Sequence, residues 1–150
     1  MASTLTNLIV HIVFSTKNRL PLITHELQPK LYAYMGGITR GEGGSLIAIG
    51  GIEDHLHMLV RLPSTTSIAE MLRRIKGNSS HWVNEQHNIT VSFGWQRGYA
   101  AFSVSQSLIS RVTEYIKRQE SHHKKITFKN ELERLFLRNG VEYDERYVWR

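Results

Sequence analysis

Cysteine is absent from the 150 residues, which removes disulfide scaffolds, thiolate zinc sites and cysteine nucleophiles together. Proline is scarce: the three, Pro21, Pro29 and Pro63, fall where other signals already place turns or helix starts. No apolar run approaches the ~18 residues needed to span a bilayer, so no membrane association is expected. The longest amino-terminal candidate, Leu8 to Phe14, is interrupted by His11 and lacks a preceding basic stretch, so no signal peptide is read. No Gly-rich stretch has P-loop spacing, which argues against nucleoside-triphosphate chemistry. Acidic residues are the minority, 13 against 19 Lys and Arg, giving a formal net charge of +6. A basic chain of this kind suits an anionic partner, nucleic acid before membrane. With 41% hydrophobic and 21% charged residues the composition is that of a globular, cytoplasmic protein.

No internal repeat, low-complexity tract or linker divides the chain, so residues 1–150 are read as one domain. Leu8 to Phe14 is short and β-branched and reads as a buried strand. Thr24 to Arg40 carries Leu27, Leu31, Tyr34 and Met35 at helical spacing, although Gly36-Gly37 puts its continuity in question. Ser45 to Ile52 and His55 to Leu62 are strands joined by a turn at Glu53-Asp54. Ser67-x-x-Glu70 is a capping box that opens a helix running to about Gln86. A fourth strand is expected around Tyr99 to Val104, then a helix from about Ser107 to Lys125. A last helix, Phe128 to Asn139, is closed by Gly140. The order β-α-β-β-α-β-α-α predicts an α+β fold, a ferredoxin-like split βαβ antiparallel sheet. Helices are expected on both faces, with the added carboxy-terminal helices over the face opposite the first two.

Within Asp54-His55-Leu56-His57-Met58-Leu59-Val60, strand alternation puts His55, His57, Leu59 and Arg61 on one face and Leu56, Met58, Val60 and Leu62 on the core face. Two histidines at i and i+2 on a rigid strand can converge on one divalent ion. Taken alone the pattern is short, and two partly exposed histidines with no ligand role would look the same. In Glu114-Tyr115-Ile116-Lys117-Arg118-Gln119, Tyr115 and Gln119 are four apart and share a helix face. An ordinary amphipathic core tyrosine fits that spacing too. Together the two segments make a more specific proposal. A helix over the sheet would present Tyr115 as a nucleophile and the Gln119 amide oxygen as a third ligand beside His55 and His57. Such a mixed set suits Mg²⁺ or Mn²⁺ better than a closed structural zinc site. A phenol has a pKa near 10 and needs such help to attack a phosphodiester.

These residues resemble the single-tyrosine HUH transposases, the transposase A proteins of small bacterial and archaeal insertion sequences. His55-Leu56-His57 is the His-hydrophobic-His motif, and Tyr115 with Gln119 matches the tyrosine motif. His11-Ile12-Val13-Phe14-Ser15-Thr16-Lys17, Phe93-Gly94-Trp95-Gln96-Arg97-Gly98-Tyr99 and Val141 to Trp149 are similar to family segments as well, so the likeness spans essentially the whole chain. The resemblance implies an obligate homodimer that cleaves and rejoins single-stranded DNA at insertion-sequence ends marked by hairpins. Tyr115 would be the catalytic nucleophile, forming a 5′-phosphotyrosine and a free 3′-hydroxyl, with the divalent metal at His55, His57 and Gln119. Whether Tyr115 serves its own chain's histidines or a partner's is left open.

The basic residues Lys17, Arg19, Arg73, Arg74, Lys76, Arg97, Lys117 and Arg118 are candidates for tracking the DNA phosphates, with a solvated polar face as the plain alternative. Trp95, Arg97 and Tyr99 interleave aromatic and basic groups in a way that suits base stacking, though Trp95 equally suits a core. His122 is expected to lie too far along its helix to ligate, and His81 and His87 to be surface residues. Two competing functions remain: a non-catalytic nucleic-acid-binding module, including a host-domesticated one, and a metal-dependent phosphodiesterase that uses water.

Overall fold

The computed structural model describes residues 3–86 and 91–148. Four strands, β1 (Leu8–Ser15), β2 (Ser45–Ile52), β3 (His55–Leu62) and β4 (Ala100–Ser103), form one antiparallel sheet in the order β2-β3-β1-β4. That order is the ferredoxin-like arrangement, with the first strand of each βαβ unit at the centre. β1 and β3 are central and pair along their whole length, Leu8 opposite Leu62 through Ser15 opposite His55. The fourth strand is shorter at both ends than its composition suggests.

Strand alternation divides the sheet into two faces of different character. On one, Val10, Ile12, Phe14, Leu56, Met58, Val60 and Leu62 pack against α1 (Leu27–Gly41) and α2 (Ile68–Gln86) through residues such as Leu31, Met35, Met71 and Ile75. This is the larger core. α1 runs unbroken through Gly36-Gly37, and Gly36 allows it to approach the Leu46 side chain, which a methyl group there would meet at 3.3 Å. In α2 the Ser67 hydroxyl accepts from the Glu70 amide at 3.1 Å, half of the expected capping box. The Glu70 carboxylate turns outward to Arg73 and Arg74 instead.

The opposite face carries Ile9, Val13, Ala48 and Leu59 together with His11, His55 and His57. The long helix expected from 107 to 125 is divided there. A 3₁₀ turn (Gln106–Leu108) leads into α3 (Ile109–Lys117), and α4 (Gln119–His122) follows after a break at Arg118, whose φ/ψ of −97°/19° leave the helical region. The break accompanies complete burial of Gln119, a polar residue whose amide must find partners inside. α5 (Phe128–Arg138) starts at Thr127, whose hydroxyl accepts from the Asn130 amide at 3.2 Å. It buries Phe128, Leu132, Leu135 and Phe136 against Val13 and Phe102. A further short turn, α6 (Glu145–Val148), was not expected from the sequence. Helices therefore cover both faces. Among the described residues no helix is long and apolar enough to cross a membrane. His87 lies outside the described residues; His81 is exposed, 3.3 Å from Glu85.

Candidate active site

β3 holds His55 and His57 at the middle of the second face, both fully buried beneath α3, α4 and α5. That burial removes the reading of two partly exposed histidines without partners. Each ring is held from behind at its Nδ1 atom. His55 Nδ1 lies 2.8 Å from Asp54 Oδ1, and His57 Nδ1 lies 2.8 Å from His11 Nε2. Outer partners of this kind fix the orientation of a ligand imidazole and leave its other nitrogen free to face an ion. Both Nε2 atoms point toward one carboxylate, that of Glu131 on α5: His57 at 3.0 Å and His55 at 3.5 Å from Oε1.

Glu131 is 1% exposed and gathers the whole site. Its Oε1 is also 3.1 Å from His123 Nε2. Its Oε2 accepts hydrogen bonds from the Tyr115 hydroxyl and, at 3.0 Å, from Gln119 Nε2. The Gln119 amide oxygen faces the other way, 3.3 Å from His55 Nε2 and 2.9 Å from His123 Nε2. Tyr115 lies edge-on to His57 and His11, with ring centroids 5.7 and 6.1 Å apart. Phe128 stacks on the His55 ring at 4.0 Å and closes that side.

The electrostatics follow from burial against charge pairing. Burial works against ionisation of Glu131, but hydrogen bonds from His123, His55 and His57 outweigh it and hold the carboxyl well below the usual range. A carboxylate can only accept, so His57 donates from Nε2 and its Nδ1 accepts from His11. Burial, the foremost cause, pushes His11 down to about 3, which keeps it neutral. Burial lowers His57 too. For His55 burial is opposed by Asp54 and Glu131, and the balance is a raised value. Burial first, then the Glu131 charge and hydrogen bond, push the Tyr115 phenol above its ordinary range.

The structure thus brings four of the residues singled out in the sequence, Tyr115, His55, His57 and Gln119, together within one chain. Three more escaped notice as site residues: His11, His123 and Glu131. Glu131 had a legible signal, because it occupies the buried stripe Phe128-Glu131-Leu132-Leu135-Phe136 where an apolar residue belongs. His123 had a weaker one, since it stands four residues beyond Gln119 as Gln119 does beyond Tyr115, although the break at Arg118 is not visible in the spacing. His122 also comes close, with Nε2 3.2 Å from Glu131 Oε2 but outside hydrogen-bond geometry.

The expected DNA-contacting residues are dispersed. Arg118 flanks a surface cleft of about 660 Å³ that Tyr115 borders together with Arg111, His122 and Lys125. Arg19 lies over the Phe128 ring at 5.1 Å, and its backbone, like that of Asn18, is left-handed, at φ 54° and 57°. Arg97 lines a smaller groove with Tyr99 and Phe128. Lys17 and Lys117 are exposed. Arg73 and Arg74 pair with Glu70, and Arg74 also with Glu42. Lys76 donates to the carbonyls of Gln96 and Gly98 and sits over the Phe14 ring, so its contacts are to the chain itself. Trp95 packs on Phe14 and Phe93 and donates to Ser79 Oγ at 2.9 Å, which makes it part of the core edge.

Histidine and glutamate ligand atoms compatible with a cation are present. One atom each from His55, His57, His123 and Glu131 lies within 4.8 Å of the others. Mixed nitrogen and oxygen donors of this kind could hold a divalent ion.

Known proteins resemble this chain in sequence and in fold. The transposase for insertion sequence element IS200 of Salmonella typhimurium is 26% identical over 124 residues, covering 79% of this chain and 81% of that protein. Two solved structures share the fold. A crystal structure from Deinococcus radiodurans R1 superposes with a TM-score of 0.62 at 21% identity, covering 79% of this chain and 95% of that one. A REP-associated tyrosine transposase bound to a REP hairpin gives 0.63 at 14% identity, covering 89% and 84%. Residues 4–119, from before the first strand through Gln119, match the family described as "Transposase IS200 like". The chain belongs to the IS200-like transposase family.

Proposed function

We propose that this transposase cleaves and rejoins single-stranded DNA at insertion-sequence ends through a covalent tyrosine intermediate. The observation that carries the reading is the convergence of the Tyr115 hydroxyl and the Nε2 atoms of His55 and His57 on one buried carboxylate. The phenol oxygen of Tyr115 attacks the scissile phosphorus and gives up its proton. The bond to the 3′-oxygen breaks, that oxygen takes a proton, and a 5′-phosphotyrosine remains. Attack by another 3′-hydroxyl reverses the step on a new strand, so the bond energy is kept for rejoining. His55 and His57, with the Gln119 amide oxygen beside them, would hold the Mg²⁺ or Mn²⁺, which when bound supplies positive charge against the phosphate oxygens.

The chain's own residues prepare the rest. Asp54 and His11 fix the two imidazoles, and Phe128 screens His55 from water. Arg111, Arg118 and Lys125 flank the cleft beside Tyr115 and offer cations to the backbone of an approaching strand. The hairpin bound by the REP-associated relative supports DNA hairpins as the substrate class. The homodimer is retained as part of this proposal, although the side chains of the site come from a single chain.

The test is incubation with Mn²⁺ and 3′-labelled single-stranded DNA carrying a hairpin from the flanks of the gene. Label should appear at protein mass on a denaturing gel and vanish in Tyr115→Phe, in His57→Ala and without metal. Cleavage that persists in Tyr115→Phe with no labelled protein would replace the tyrosine mechanism with attack by water.

A further inference from the structure

The two Glu131 oxygens serve different partners. Oε1 faces three imidazoles, those of His57, His55 and His123, at 3.0, 3.5 and 3.1 Å. Oε2 holds the Tyr115 hydroxyl and the Gln119 amide, with His122 Nε2 at 3.2 Å but outside hydrogen-bond geometry. A carboxylate buried to 1% exposure is costly unless every lone pair is used. Here it lies in a helix stripe otherwise made of Phe128, Leu132, Leu135 and Phe136, whose apolar packing calls for no charge at that position. Apolar packing of α5 therefore does not account for Glu131, whereas the polar groups of the site do use both its oxygens.

We propose that Glu131 is a bridging carboxylate that couples filling of the metal site to placement of the nucleophile. Oε1 turns to the ion alongside the imidazole nitrogens, and Oε2 keeps the Tyr115 hydroxyl, so the ion and the phenol are joined through one rigid three-atom group. The inference rests on the metal-site reading of His55 and His57 and adds to it a positioning residue carried by α5. It also assigns α5, a helix outside the family match at residues 4–119, a part in the reaction.

The test uses Mg²⁺ alone as the probe, without DNA. In the full chain labelled with ¹³C at the tyrosine ζ-carbon, the Tyr115 resonance, assigned by its loss in Tyr115→Phe, should shift with Mg²⁺ along the same curve as calorimetric binding. In Glu131→Gln, which keeps the side-chain shape, affinity for Mg²⁺ should fall by roughly tenfold or more. At saturation its Tyr115 resonance should no longer respond. A wild-type resonance that stays fixed at saturation overturns the coupling, and this arm needs no variant to fold. Unchanged Mg²⁺ affinity in a folded Glu131→Gln, or a tyrosine response equal to wild type, overturns it as well. Failure of the underlying site looks different: no binding in the wild type, or binding untouched by His57→Ala, would overturn the metal reading itself.

Discussion

Gly50 controls how closely the tyrosine helix lies on the sheet. It stands on β2 directly opposite His57, and the backbone of α3 passes over it at Ile116. A methyl group at position 50 would lie well inside 3.0 Å of the Ile116 carbonyl oxygen, a separation Cβ atoms essentially never adopt. It would also meet the Ile116 carbonyl carbon at 3.1 Å and Cγ2 at 3.2 Å. Backbone cannot rotate out of the way, so in Gly50→Ala α3 must retreat, by about 1 Å if ordinary contact is to be restored. Tyr115 precedes Ile116 and moves with it, stretching its hydrogen bond to Glu131 out of range. Overpacking of this kind costs about 1–3 kcal/mol of stability. At about 2–4 °C per kcal/mol for a chain of this size the melting temperature falls by several degrees, which leaves the protein folded at room temperature. Misplacement of a reacting group by about 1 Å costs on the order of 10²-fold in rate. Single-turnover cleavage of labelled hairpin DNA should therefore slow by about two orders of magnitude, while circular dichroism stays native. Cleavage at the wild-type rate by folded Gly50→Ala would refute the argument that α3 acts from this docked position.

Three further outcomes follow from the structure. Gly77 lies within α2 with nothing within 4 Å of where a Cβ would sit, so Gly77→Ala should raise stability in urea unfolding by about 0.5–1 kcal/mol. A loss of stability there would show that the space is occupied. Burial lowers the Lys76 ammonium to about 8 from its ordinary 10.5. The unfolded chain then binds that proton more tightly, so this group's contribution to stability rises with pH between those values. The urea midpoint of the wild type should gain on that of Lys76→Met across this window, and a constant difference would contradict the burial of the ammonium. Because the side chains of the site come from one chain, mixing Tyr115→Phe with His57→Ala should leave cleavage at the level of the separate variants. Restored cleavage in the mixture would place the tyrosine and the histidines on different chains.

Much of this architecture was legible in the sequence because its signals are local. Alternation along His55 to Leu62 assigns the two faces correctly, and the element order specifies the sheet. The family resemblance, carried by His55-Leu56-His57 and by Tyr115 with Gln119, agrees with the match over residues 4–119. What escaped depends on tertiary geometry. The break at Arg118 arises where a glutamine is drawn into a buried polar network, and no propensity in Tyr115 to Lys125 announces it. His11 becomes an outer partner of His57 only through the β1–β3 register. Glu131 could have been found by asking why a carboxylate interrupts an apolar stripe. Lys76 carries the charge of a DNA contact yet bonds to its own backbone, a distinction that composition cannot make.

The proposed reaction turns on a bond between the Tyr115 oxygen and DNA. The most direct measurement is mass spectrometry on protein trapped during cleavage, digested with nuclease and trypsin. Trypsin releases residues 112–117, Val112 to Lys117, with Tyr115 the one hydroxyl-bearing aromatic side chain in the peptide. This peptide should gain the mass of a 5′-linked nucleotide, with fragmentation placing it on Tyr115, in the presence of Mn²⁺ and not in His57→Ala. Cleaved DNA accompanied by an unmodified 112–117 peptide, or by a nucleotide on any other residue, would contradict it.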